Sequence, residues 1–267
     1  MDVGSLILKL ALTPTLIGAA SLAGRRWGPA VSGWLVGLPL TSGPVAFFLA
    51  LNHGTTFAAA AAIGTLTGTL SQVPFCLTYG WLTRRAGWLL SLGISYLAFA
   101  AATLAFQYLV LPLAVLYLLV IAALAVTLRL MPPSTESVSK PVAPPRRDIP
   151  ARMVLATALV LLLTSLAPAL GPRLTGLLTP FPLYASILGV FAHRFQGAAA
   201  VTSVLRGLLM GLFAFASFFL VLALLIEPVG IAPAFAASIA AALAVQAGSL
   251  WVLRRAAASA RPLQSKM

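Results

Sequence analysis

Apolar runs of about the twenty residues that a helix needs to cross a bilayer alternate along the chain with short polar or basic gaps. They predict nine helices, at 6–23, 31–51, 56–82, 88–107, 110–130, 153–169, 174–193, 198–226 and 232–253. Between the fifth and sixth lies PPSTESVSKPVAPPRRDIP, rich in Pro and Ser and without apolar periodicity, which predicts a disordered linker. The first run reads as a span and not as a signal peptide: Asp2 stands where basic residues belong, and Arg25 and Arg26 follow the run instead of preceding it. The chain thus divides into a first membrane half (1–131, helices one to four plus connector helix five), a cytoplasmic linker (132–151), a second membrane half (152–253, helices six to nine) and a basic cytoplasmic tail (254–267).

Nine spans place alternate gaps on opposite faces, and the basic residues check the count. Of 17 Lys and Arg, 14 fall on one face, from Arg25 and Arg26 to Arg261 and Lys266. Lys9 and Arg173 fall on the other, and Arg206 lies inside a span. The positive-inside bias then puts the amino terminus outside and the carboxyl terminus in the cytoplasm, a topology expected of a bacterial inner membrane.

A second pattern lies over the first. Shifted by 143 residues, GPAVSGWLVGLPLTSGPVAFF (28–48) aligns without a gap on GPRLTGLLTPFPLYASILGVF (171–191). Gly28, Pro29, Gly33, Pro39, Gly54, Gly64 and Gly68 meet Gly171, Pro172, Gly176, Pro182, Gly197, Gly207 and Gly211, along with four apolar identities. Shared hydrophobicity would match leucines and alanines, not backbone punctuation. The offset pairs helices one to four with six to nine. The connector sends the second copy into the bilayer from the opposite face, giving two inverted-topology repeats. The expected fold is an all-α integral membrane protein of about nine transmembrane helices in which two repeats of four are joined by a connector helix.

Composition narrows the classes. The chain is 61% hydrophobic and 8% charged, with a mean hydropathy of +1.04, which excludes a soluble domain. The net charge of +13 comes from basic pairs between apolar runs and not from a basic face, so no nucleic-acid partner is expected. One cysteine, two histidines, two aspartates and two glutamates make a metal site or cofactor site improbable on composition. No HExxH, GxSxG, P-loop or carboxylate pair is present, so no enzyme is expected. No Asp or Glu falls within a helix core, which argues against a carboxylate-based proton antiporter.

The paired broken helices are the candidate site. Pro39 and Pro182 each remove an intrahelical donor, and non-helical backbone at membrane depth survives where it is buried in protein or lines a wet cavity. Gly/Pro-interrupted spans at corresponding positions of two halves point to a midplane binding site, although ordinary proline kinks are the alternative. Thr41 and Ser42, with Thr179 and Tyr184 in the second copy, are the polar groups that can line it. Thr65, Thr69 and Gln72 share one face of helix three and serve either as cavity lining or as interhelical glue. Arg206 is a binding candidate as an intramembrane charge, or it snorkels to the interface. The repeated Gly64-xxx-Gly68 and Gly207-xxx-Gly211 spacing predicts close helix packing.

This duplicated plan resembles in outline small transporters such as the drug/metabolite superfamily and the bile-acid symporter-like proteins, whose span counts and motifs differ; the resemblance is architectural. The expected function is a secondary transporter or exporter of a small anionic or neutral organic solute by alternating access. The lipid bilayer and that solute are the expected partners, and a homodimer is allowed. The alternative is a non-transporting scaffold or assembly subunit of a membrane complex.

Overall fold

The computed structural model describes residues 38–133 and 148–260, together with a few positions between 7 and 22. Most of the helix expected at 6–23, the first part of that at 31–51, most of the 132–151 linker and the last residues of the tail lie outside the described residues. The described residues form α1 (Ser42–His53), α2 (Thr55–Leu82), α3 (Trp88–Phe106), α4 (Leu113–Leu130), α5 (Asp148–Leu178), α6 (Leu183–Gln196), α7 (Ala198–Val229) and α8 (Ile231–Ala260). No strand occurs among them. Six helices, α2 to α5, α7 and α8, are long and apolar enough to cross a membrane. The chain is an all-helical, multi-pass membrane protein with lipid-facing apolar helices.

Burial separates these six into two groups. The apolar windows of α2 and α7 are 72% and 61% buried, against 22–29% in the other four, so α2 and α7 form the centre. They pack against each other, and α2 also receives α1, α3, α4 and α5, while α7 receives α4, α6 and α8. Exposed leucines such as Leu97, Leu118 and Leu243 cover the outer helices, as a bilayer solvent permits. Lipid supplies no hydrophobic drive for helices to associate, so close packing and hydrogen bonds must do so.

Glycine provides that packing between α2 and α5. A Cβ on Gly64 would stand 2.6 Å from the Arg173 carbonyl oxygen, and one on Gly68 would stand 2.5 Å from that of Leu177. Gly176 faces the Ala61 carbonyl in the same way from the other helix. Tyr79, Phe48, Phe75 and Phe219 are the largest side chains wholly enclosed around this centre.

Two boundaries differ from the sequence expectation. Helices were expected at 153–169 and 174–193; non-helical backbone at Gly171 (φ 72°) divides two helices in the expected gap, but the second of them stops at Leu178 and a new helix starts at Leu183. Gly171 takes the left-handed conformation without a Cβ clash. Pro172 then starts a new helical turn, where its missing N–H is no loss. Within the expected 31–51 helix, the described residues 38–41 are not helical and α1 starts only at Ser42. The interruptions lie at Leu38–Thr41 and at 179–182. The last helix continues past 253 to Ala260.

Candidate functional site

Both interruptions are built the same way. At 179–182, Pro180 and Pro182 have no N–H to continue the ladder, so helical bonding ends with Thr179 N donating to Thr175 and Gly176. Leu183 N then donates to Phe181 O at 2.7 Å around Pro182, whose φ of −76° and ψ of 47° describe an inverse γ-turn. Ser186 N donates to Pro182 O at 3.0 Å and starts α6. In the first half, Leu40 N donates to Leu38 O at 2.7 Å around Pro39, and Gly43 N donates to Pro39 O at 2.8 Å. These bonds are related by the same 143-residue shift. The shift also relates Gly54 and Gly197, which join α1 to α2 and α6 to α7 with φ of 86° and 83°. A proline ring fixes φ near the value that this turn requires, so each break is encoded by its own proline.

The two halves meet at the second break. Ser42 Oγ, at the start of α1, donates to Thr179 O at 3.2 Å. Gln72 Nε2 on α2 donates to Pro180 O. Two carbonyls left without helical partners by the turn are therefore satisfied by side chains of the other half, as burial requires. Gln72 Oε1 is buried without a partner among the described residues. The positions one repeat later than Ser42 and Gln72 are Ala185 and Phe215, which cannot donate, so this polar link belongs to one copy only.

The other candidates divide. Thr65 and Thr69 are buried, and their hydroxyls donate to Ala61 O and Thr65 O of their own helix, both at 2.9 Å. Thr179 Oγ1 does the same to Thr175 O at 2.7 Å. Thr41 precedes α1 and makes no side-chain cap bond. The Tyr184 side chain lies outside the described residues. Arg206 is held elsewhere: Nη2 donates to Met131 O at 3.0 Å and Nε to Pro132 O at 3.3 Å. Trp81 Nε1 donates to Leu130 O and Arg84 Nη2 to Pro133 O, so three side chains close the carbonyl end of α4. Cations fit there, at the negative end of the helix dipole.

A cavity of about 470 Å³ lies beside the first break. Its walls are Pro39, Gly43 and Phe47 on the first half, and Phe218, Phe235 and Ala242 on the second. Phe47 and Phe235 meet edge to face with centroids 5.4 Å apart, and Phe218 meets Phe235 at 5.9 Å. No lining residue carries a side-chain hydrogen-bonding group. Periodicity did not point to this cavity, but the repeat offset contains a usable signal in the residue sizes at its related positions. Among the described residues, no three of His, Cys, Asp or Glu come together to hold a metal ion. Cys76 is free and buried.

No protein-family model, curated protein or solved structure matches this chain.

Proposed function

We propose that the protein is a secondary transporter or exporter that moves a small organic solute by alternating access between two inverted halves. The carrying observation is the pair of proline-centred turns with equivalent backbone hydrogen bonds, one of which is bonded to the opposite half through Ser42 and Thr179. In this reading the membrane is crossed nine times. Two crossings are broken helices, with α1 and α6 as their second segments. The amino terminus lies outside a bacterial inner membrane. Two inverted halves can exchange conformations across their pseudo-two-fold axis, opening the breaks to one face and then the other.

The wholly apolar cavity favours a neutral solute over an anionic one, because an anion stripped of water there would find no donor. Arg206, engaged with the end of α4, supplies no positive charge to the cavity in this arrangement. The reading includes no catalytic step, and it does not need a homodimer. Purified protein in proteoliposomes is expected to carry neutral hydrophobic solutes in preference to organic anions and cations. Absence of flux across a panel spanning all three classes would sink the transport reading.

One observation favours a scaffold instead. The polar side chains at the second break are used in internal hydrogen bonds, as in a packed joint. A scaffold would copurify with a stable partner in fixed ratio and would carry nothing.

A further inference from the structure

The positions one repeat away from the cavity's lining hold a packed group of the chain's own aromatic rings. Where Leu38, Gly43, Ile239 and Ala242 stand beside the first break, the related positions beside the second break hold Phe181, Ser186, Tyr96 and Phe99. There Tyr96 stacks on Phe181 with centroids 5.3 Å apart and an interplanar angle of 13°. Phe99 meets Phe181 edge to face at 5.7 Å, and Phe75 meets Tyr96 at 5.7 Å. Tyr96 Oη donates to Ser186 Oγ at 2.7 Å, closing the group.

Beside the first break, Phe218 stands in the place of Phe75, while the stacked pair and its edge partner have no counterpart. The other rings of the cavity, Phe47 and Phe235, stand at the positions related to Val190 and Leu92 beside the second break. The cavity is thus an aromatic-walled space from which a stack of the chain's own rings has been removed. Gly43, in the place of Ser186, leaves no hydroxyl for a phenol-like group. The wall past Ile239 and Leu243 is 50% and 56% exposed at those residues, so the space is reached from the outer surface of the bundle between α1 and α8.

We infer that this cavity is a binding site for a neutral, ring-bearing hydrophobe, which takes the place that Tyr96, Phe99 and Phe181 fill beside the second break. Edge-to-face and offset-stacked contacts with Phe47, Phe218 and Phe235 supply the preference for a ring over a chain. Entry from the bilayer side suits a molecule that first dissolves in lipid. The inference rests on the two-repeat part of the transport reading, which it deepens by naming the solute class.

The test is saturable binding of N-phenyl-1-naphthylamine to the full-length protein in lipid nanodiscs, measured by fluorescence against empty discs. Saturable binding is expected. Ala242→Phe and Ile239→Tyr, which introduce the groups found at the related positions beside the second break, should each weaken it roughly tenfold or more by filling the space. Leu97→Phe, at a position 70% exposed on α3, should leave it unchanged. A melting profile like that of the unsubstituted protein separates loss of the site from loss of the fold, and either filling variant alone suffices.

Three results overturn the inference. One is no saturable binding by the full-length chain, as expected if its own residues 1–37 fill the space. Another is binding indifferent to both folded filling variants. The third is displacement by hexadecane or palmitate as effective as by naphthalene, which would identify a lipid acyl chain as the occupant. Equilibrium binding is read without transport, so a bound probe with no flux would sink the transport reading and leave this site standing.

Discussion

Ser42 and Thr179, 137 positions apart in the chain, are joined by a 3.2 Å hydrogen bond from the Ser42 hydroxyl to the Thr179 carbonyl. The bond ties the first helix after one break to the carbonyl end of the other break. Ser42→Ala is expected to destabilise the protein by about 0.5–1.5 kcal/mol, the worth of one such bond. Gln72→Leu should cost more, about 1–3 kcal/mol, because it leaves the buried Pro180 carbonyl unsatisfied. Reversible unfolding in mixed micelles would measure both. The neighbouring carbonyls should make the double variant depart from additivity. Strict additivity would show that the two bonds do not act on one joint.

The contact between α2 and α5 is closer than any side chain allows. Gly68→Val and Gly176→Val should each cost several kcal/mol or abolish folding, since the added atoms meet backbone that cannot move aside. Gly93→Ala in α3 is the control: nothing lies within 4 Å of its added Cβ, and it should stabilise by about 0.5–1 kcal/mol. Tolerance of Gly68→Val at unchanged melting temperature would contradict the packing.

Arg206 should behave as a clamp on the end of α4. Arg206→Ala is expected to lose about 1.5–3 kcal/mol, as for hydrogen bonds from a charged donor. Arg206→Lys should recover only part of it, because an ammonium cannot span two successive carbonyls as the guanidinium fork does. If Arg206→Ala instead left unfolding unchanged while abolishing flux, the side chain would belong to the solute path.

Much of this was legible in the sequence, for definable reasons. Apolar runs located the bodies of α2, α3, α4 and α7, because hydropathy alone decides what a bilayer accepts. Pro39 and Pro182 located the breaks, because proline acts locally on its own backbone. The shift of 143 residues further paired Gly54 with Gly197, whose matching left-handed φ values no periodicity reveals.

What was not legible depends on contacts far apart in the chain. The breaks were expected from the prolines, but not the tight turn that each makes, with Leu40 N bonded to Leu38 O and Leu183 N to Phe181 O. Nothing near Arg206 in sequence shows that Met131 and Pro132 receive it. Nor does either half alone disclose the cavity, which emerges only when Leu38, Ile239 and Ala242 are set beside Phe181, Tyr96 and Phe99.

The proposal depends on the two halves entering the membrane from opposite faces. His53 and Gln196 occupy equivalent positions at the ends of α1 and α6, so single cysteines there report the orientation of each half. The only native thiol, Cys76, is buried and is replaced by alanine for the measurement. With a membrane-impermeant maleimide on intact cells, the account predicts labelling of His53→Cys from outside, and of Gln196→Cys only after the membrane is opened. Labelling of both positions from the same face would contradict the inverted repeat and the alternating access built on it.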